Sequence, residues 1–236
     1  MAPLISVIIP AWNEEARLPE TLKALDTYRM TRPQIAGISC KFEFIVVDDG
    51  STDGTCKAAL PWVDLVLRMP KNQGKGAAIH AGAKAAAGEI CVFLDADLGG
   101  SAMNFPLLIE PLLRGEADMT IAELPRAVKP GGLGLVKKLA KHGVLALTGL
   151  SAAAPLSGQR AVRREILQRS GRSFPGFGVE VGILIDAIKL GYRIQELQIP
   201  FTHRETGRAW RDWLHRGKQF YAISRTLWQC WRRPVC

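Results

Sequence analysis

The sequence predicts an α/β protein with a mostly parallel central sheet flanked by helices. Through the first hundred residues, apolar β-favouring runs alternate with helix-forming stretches in the β-α-β-α-β-α-β order of a doubly wound sheet. The run 91–94, Cys-Val-Phe-Leu, is apolar throughout rather than alternating, as strands covered on both faces are. Two of the runs also end in carboxylates, at the strand ends where open α/β sheets place their ligands.

The elements follow in order. Residues 4–10 make a β-branched first strand, closed by Pro10. Asn13, in the loop 11–15, is placed to cap a helix over 14–28. Residues 42–47 give a second strand that runs into Asp48 and Asp49, and Ser51 or Asp53 then caps a helix reaching about residue 60. A short third strand takes 63–68. The loop 71–76, Lys-Asn-Gln-Gly-Lys-Gly, opens an Ala-rich helix over 77–87 that Gly88 stops. Such a loop can cradle phosphate, although it lacks the residue order of a P-loop. The fourth strand is 91–94.

Beyond residue 100 the pattern is less regular. It predicts a helix over 106–114, a short strand over 119–122 and a Gly- and Pro-bearing loop over 126–134 of the kind that carries function. An amphipathic helix over 136–148 has Lys137, Lys138, Lys141 and His142 on its polar side. An apolar core segment covers 144–156, too short to span a bilayer. A helix running to residue 190 holds Glu180 early, an edge strand takes 192–200, and a basic aromatic helix closes the chain over 209–234.

Composition sets the outer bounds. At 236 residues and 47% hydrophobic, the chain is long enough for one sizeable core. Its formal charge of +9 favours anionic partners, and from residue 204 onward eight Lys or Arg stand against two acids. Five cysteines, without C-x-x-C spacing, read as free thiols of a reducing compartment. The apolar run 4–9 is too short for a secretory signal, and no run reaches the length of a membrane span. These features predict a cytoplasmic protein, soluble or peripheral to a membrane.

The rest of the chain is arranged around residues 91–100, Cys-Val-Phe-Leu-Asp-Ala-Asp-Leu-Gly-Gly. On extended backbone, residues i and i+2 point the same way, so Asp95 and Asp97 reach one point. Two hard oxygen ligands suit Mg²⁺ or Mn²⁺, which in turn take the oxygens of a diphosphate. A lone Asp-x-Asp equally fits a helix cap beside a solvated acid.

Four segments decide between these: Ile-Pro-Ala-Trp-Asn-Glu-Glu (9–15), Val-Val-Asp-Asp-Gly-Ser-Thr-Asp-Gly-Thr (46–55), Lys-Asn-Gln-Gly-Lys-Gly (71–76) and Phe-Leu-Asp-Ala-Asp (93–97). In order and spacing they resemble the motifs of glycosyltransferase family 2. The resemblance implies a GT-A-like fold, with a nucleotide-sugar half over 1–101, an acceptor half over 102–208 and the basic helix over 209–236. It implies a metal-dependent hexosyltransferase that moves a sugar from a nucleotide-sugar donor, a UDP-sugar first, to an acceptor hydroxyl or phosphate.

By the same resemblance, Pro10, Ala11, Asn13 and Glu14 line the nucleotide, Asp49 meets the base, and Lys75 lies near the nucleotide. Asp95 and Ala96 belong to the nucleotide-sugar site, and Asp97 with Asp95 binds Mn²⁺ or Mg²⁺. The segment 157–161, Ser-Gly-Gln-Arg-Ala, is similar to the family's acceptor side. Phe-Gly-Val-Glu (177–180) is similar to glucosyl-3-phosphoglycerate synthases, which implies Glu180 as a catalytic carboxylate and His203 as a further metal ligand. Arg208, or Arg204, is then placed to neutralise the leaving diphosphate. Gly99 departs from the Gln that many polyprenyl-phosphate sugar transferases carry two residues after the second Asp.

The acceptor stays open among a lipid-linked carrier, an envelope polymer and a small phosphorylated acid. In the last helix Trp210, Trp213, Leu214, Phe220, Tyr221, Leu227, Trp228 and Trp231 recur at three- and four-residue steps, one face of a helix. That face reads either as an anchor on an anionic membrane or as packing on the protein, a homodimer partner included. Two other functions stand as alternatives: a sugar-nucleotide nucleotidyltransferase, and a non-catalytic basic module for membrane or nucleic acid. Nucleic acid is not expected as a partner of the transferase, because the charge is concentrated in the tail, away from the acid-tipped strands.

Overall fold

The computed structural model describes residues 2–31, 34–123, 134–202, 211–233 and 235, without the side chains of 211–216. The first half contains β1 (Leu4–Ala11), α1 (Leu18–Met30), a small hairpin of β2 (Gln34–Ile35) and β3 (Ile38–Ser39), and β4 (Lys41–Asp48). It continues through α2 (Thr55–Ala59), β5 (Leu65–Arg68), α3 (Lys75–Ala85) and β6 (Ile90–Phe93). After a 3-10 turn at Gly99–Asn104 come α4 (Pro106–Leu113), β7 (Met119–Glu123), α5 (Gly134–Thr148), β8 (Arg160–Arg163) and α6 (Arg164–Ser170). A second 3-10 turn, Gly176–Gly178, leads into α7 (Val179–Lys189), then β9 (Ile194–Gln198) and α8 (Arg211–Arg232).

Seven strands form one sheet in the order β5-β4-β1-β6-β8-β7-β9. β5, β4, β1 and β6 pair in parallel, β8 runs antiparallel to both β6 and β7, and β9 is parallel to β7. The two-residue period of a strand sends alternate side chains to opposite faces. Val7, Ile9, Phe44 and Val46 therefore pack with Leu18, Leu22 and Leu25 of α1 and Leu108 and Leu112 of α4. Ile8, Ile45 and Val47 pack on the other side, in the core that holds Ala78 of α3, Leu184 of α7 and Ile223 of α8. Two covered faces are the reason the strands read as apolar in the sequence.

Several expectations are corrected. Asn13 does not cap a helix. It sits in the left-handed region at φ +56°, its Oδ1 accepts from the Thr52 amide at 2.9 Å, and α1 begins only at Leu18. The segment 157–161, to which the sequence assigned no secondary structure, ends inside the sheet, where Arg160 and Ala161 open β8. Its short Arg-Ala-Val-Arg run is too brief for periodicity to show. The apolar segment 144–156 finishes α5 at Thr148 and then turns irregular, with Ala153 and Ala154 donating to the Glu196 carboxylate at 2.8 and 2.7 Å. The loop 126–134 lies outside the described residues but for Gly134, and so do Trp210 and the side chains of Trp213 and Leu214.

The last helix turns its described aromatic side chains away from the rest of the chain. α8 packs on α5, α7 and the 176–178 turn. Its buried positions are Ala222, Ile223, Thr226 and Cys230, whereas Phe220, Tyr221, Trp228 and Trp231 are exposed. Small residues permit the close approach to α7 and α5, so the bulky aromatics are left on the outside. Among the described residues, no helix is long and apolar enough to cross a membrane.

One charged clamp holds the antiparallel insertion. Asp118, just before β7, meets Arg163 at the end of β8 at 3.2 Å and Arg193 before β9 at 3.1 Å, and its Oδ2 also accepts from the Arg193 amide. The Arg193 hydrogen bond is the main reason its carboxyl titrates below the ordinary 3.8. A depressed folded pKa contributes stability that is complete above the unfolded value and disappears as pH falls through the folded one. Asp118→Asn is therefore expected to cost about 1–3 kcal/mol in urea denaturation at pH 7. The two proteins should converge well below pH 3.8. A difference that persists in acid would remove the charge-based account.

Candidate active site

Because β1, β4 and β6 are adjacent and parallel, their carboxyl ends open on one edge. There a cavity of about 650 Å³ is walled by Pro10, Ala11, Trp12 and Glu14 after β1, by Asp49 after β4, and by Asp95, Ala96 and Asp97 after β6. Asn72, Gly74 and Lys75 close one side, and Phe177, Lys218 and Ala222 come from the second half of the chain. Its volume lies within the range of small-molecule sites, about 300–1,000 Å³. Asp97 also lines a smaller neighbouring cavity of about 150 Å³, with Arg17, Glu20, Gly99 and Thr202.

The two aspartates differ in their surroundings. Asp95 Oδ1 receives Lys75 Nζ at 2.7 Å, and Oδ2 accepts from Gln159 Nε2 at 2.6 Å. Gln159 reaches it because β8 runs antiparallel to β6, with Arg160 opposite Phe93, so the start of one strand meets the end of the other. Lys75 Nζ lies 2.9 Å from Glu180 Oε1 as well, bridging two carboxylates at the first residue of α3. Burial works against the ammonium, but the Asp95 and Glu180 charges outweigh it and hold Lys75 protonated well above its ordinary range. Gly158 makes room for this cluster: a Cβ there would stand 2.6 Å from Lys75 Nζ and 2.7 Å from both Asp95 oxygens.

Behind the cluster, Arg160 is fully buried. Its Nη1 donates to the Glu180 carbonyl at 2.7 Å, and its Nε and Nη2 donate to the Ser157 carbonyl. Burial pushes its guanidinium down to about 10, still charged at neutral pH.

The neighbouring pair Asp48 and Asp49 is separated by geometry. Asp48 turns into the protein, accepting from the Ser51 amide at 2.8 Å with Arg68 3.6 Å away. Asp49 faces the cavity and accepts from the Gln73 and Gly74 amides at 2.8 and 2.7 Å, which fixes the loop leading into α3. Asn13 is not in the cavity wall. It spans to the loop after β4, its amide donating to Ser51 Oγ and its Oδ1 accepting from Thr52. Glu14 keeps its place in the wall, and its carboxyl is raised, chiefly by burial, with Arg17 opposing and Asp97 adding to the effect. Glu180 is only 5% exposed at its side chain and is paired with Lys75, which lines the cavity. His203, Arg204 and Arg208 lie outside the described residues.

These features match known proteins. The family model for glycosyl transferase family 2 aligns with residues 6–170, most of the described sheet. The chain belongs to glycosyltransferase family 2. It is 34% identical over 203 residues to glucosyl-3-phosphoglycerate synthase of Mycobacterium tuberculosis, an alignment covering 77% of this chain and 60% of the relative. A dolichyl-phosphate beta-glucosyltransferase of Trichomonas vaginalis is 38% identical over 125 residues, covering 50% of this chain and 38% of its own. The chain thus spans about three-fifths of the length of the first relative. A crystal structure of the mycobacterial synthase with Mn²⁺, UDP-glucose and phosphoglyceric acid superposes at a TM-score of 0.72 and 31% identity, over 95% of this chain and 78% of that one. The same synthase has also been solved with Mg²⁺ and UDP. The sheet described above is therefore the GT-A fold of this family.

Within the family frame, the Gly99 departure has a structural setting. Gly99 is at φ +52°, and a Cβ there would stand 2.9 Å from the Glu20 carboxylate, so a Gln meets both an unfavourable backbone and an occupied space. Sequence reasoning left Gln159, Arg160, Phe177 and Lys218 without roles. Gln159 and Arg160 stood in the segment similar to the family's acceptor side, but their contacts could not be read there, because only the β6–β8 pairing brings them to Asp95 and Glu180. Lys218 was counted with the charge of the tail, although α8 returns it to the cavity.

Lys75→Met leaves Asp95 and Glu180 partly buried without their shared cation. The expected loss is about 3 kcal/mol in urea denaturation. Adding Glu180→Gln should recover part of it, with a coupling of about 1–3 kcal/mol in the double-mutant cycle. Additive losses would mean that the bridge is not an energetic unit.

Proposed function

We propose that this chain is a metal-dependent hexosyltransferase that moves a sugar from a UDP-sugar, UDP-glucose first, to the hydroxyl of a small phosphorylated acid. The observation that carries the reading is the 650 Å³ cavity, which is lined together by Asp95 and Asp97, by the loops after β1 and β4, and by Lys218 and Phe177. The donors and acceptor bound by the mycobacterial synthase support the choice of substrates.

The residues present fit a divalent cation. Among the described residues no three His, Cys, Asp or Glu side chains converge on one point. Mg²⁺ and Mn²⁺ sites of this kind need only one or two carboxylates, completed by substrate phosphates and water. Asp97 would hold the ion, with Asp95 beside it and His203 as a further ligand. When bound, the cation offsets the charge that develops on the departing diphosphate.

The chain's own groups do the rest. Pro10, Ala11 and Glu14 form the wall for the nucleotide, and Asp49 both meets the base and holds the loop before α3. Asp95 is kept ionised and oriented by Lys75 and Gln159, on the donor side of the site. Glu180 acts as a positioning residue through Lys75, and Arg160 fixes the Glu180 backbone from behind. Lys218 supplies positive charge for the acceptor's phosphate, and Arg208 for the leaving diphosphate.

A panel of nucleotide sugars with Mn²⁺ and phosphoglycerate should release nucleoside diphosphate, and UDP-glucose should be preferred. Asp97→Asn is expected to lower turnover by about a hundredfold or more while leaving the thermal unfolding profile intact. Release of inorganic diphosphate from a nucleoside triphosphate and a sugar 1-phosphate, with no nucleoside diphosphate released from any nucleotide sugar, would identify a nucleotidyltransferase instead, and unchanged turnover in Asp97→Asn would sink the metal assignment. A polyprenyl phosphate preferred over phosphoglycerate would overturn the proposed acceptor.

A further inference from the structure

We propose that the outer faces of α5 and α8 together form a docking surface for an anionic lipid bilayer. The two helices pack against each other, with Gly143 of α5 directly under Leu227 of α8, and both rest on α7. Each buries its small or branched side: Val136, Ala140 and Val144 on one, Ala222, Ile223 and Cys230 on the other. The opposite sides carry an unusual concentration of exposed apolar groups. Tyr221 and Trp231 are each 68% exposed, Trp228 54% and Leu135 75%. Large aromatics left in water at this density mark an interaction surface rather than incidental exposure.

The charges on the same pair of helices indicate what covers it. α5 contributes Lys137, Lys138 and Lys141, and residues 217–233 contribute Lys218, Arg225, Arg232 and Arg233. Neither stretch contains an Asp or Glu. The Arg232 guanidinium stands 4.9 Å over the Trp228 ring, so an aromatic and a cation are presented as a unit. Tryptophan and tyrosine rings settle at the headgroup level while Arg and Lys meet lipid phosphates. A second copy of this chain is a poorer fit. Two such faces meeting across a dyad would set cation against cation, with no acid on these segments to pair them. Lys218 lies both on this helix and in the cavity wall, so the surface borders the mouth of the site.

The full chain is expected to cosediment at low salt with phosphatidylcholine vesicles containing about one quarter phosphatidylglycerol, the anionic lipid that sets the surface potential. It should ignore pure phosphatidylcholine and be released as added salt shortens the Debye length. Arg225→Glu, Arg232→Glu and Arg233→Glu combined should lower the partition coefficient by more than about a hundredfold. Trp228→Ser with Trp231→Ser should lower it about tenfold and remove the fluorescence change on binding. All five positions are exposed, and thermal melts verify that the variants fold. A wild-type protein that stays in solution at low salt overturns the proposal. So does binding that neither set of substitutions weakens, or a dimer that the Trp substitutions dissolve in a protein indifferent to vesicles. The readout is binding alone, so it succeeds or fails independently of the proposed transfer reaction.

Discussion

The site depends on one buried cation. Lys75 Nζ stands within 3 Å of both Asp95 and Glu180, and its side chain is only 20% exposed. Two carboxylates brought this close in a low-dielectric setting repel unless a cation lies between them, and a lone buried ammonium is costly for the same reason. Each charge therefore makes the others tolerable. The surroundings are shaped to this arrangement: Gly158 leaves the space, Gln159 satisfies the second Asp95 oxygen, and Arg160 secures the Glu180 backbone. Asp95 is thereby held in one orientation at the end of β6.

That cluster unites distant parts of the chain through one topological feature. Lys75 and Asp95 come from the parallel part of the sheet and its helices, whereas Gln159, Arg160 and Glu180 come from later in the chain. β8 enters the sheet antiparallel between β6 and β7, so its first residues lie at the carboxyl end of β6. A parallel β8 would have delivered its last residues there instead. The Asp118 clamp, with Arg163 and Arg193, ties the end of β8 to the starts of β7 and β9. A single sheet thus brings residues from the first and the later strands into one site.

α8 adds a second level of organisation. One edge of the helix brings Lys218 and Ala222 to the cavity, and its narrow face seats on α7 through residues small enough for close approach. Everything bulky and most of the charge are left outside. The helix thereby closes the site and gives the protein an exposed basic, aromatic surface.

The sequence by itself determined the parallel α/β core, the strand ends that bear carboxylates and the membership of Asp95, Asp97 and Asp49 in one edge. Strands covered on both faces leave a continuous apolar signature, and ligand-facing loops carry distinctive short motifs, so both are local properties. The structure alone showed that Asp48 turns into the protein beside Asp49, that Lys75 joins Glu180 to Asp95, and that Asn13 is a loop clamp rather than a helix cap. The face that α8 buries was decided at the same level. These outcomes rest on contacts between strands far apart in the chain, such as the antiparallel pairing of Phe93 with Arg160, and on competition for space among helices. Neither leaves a periodic trace in the chain.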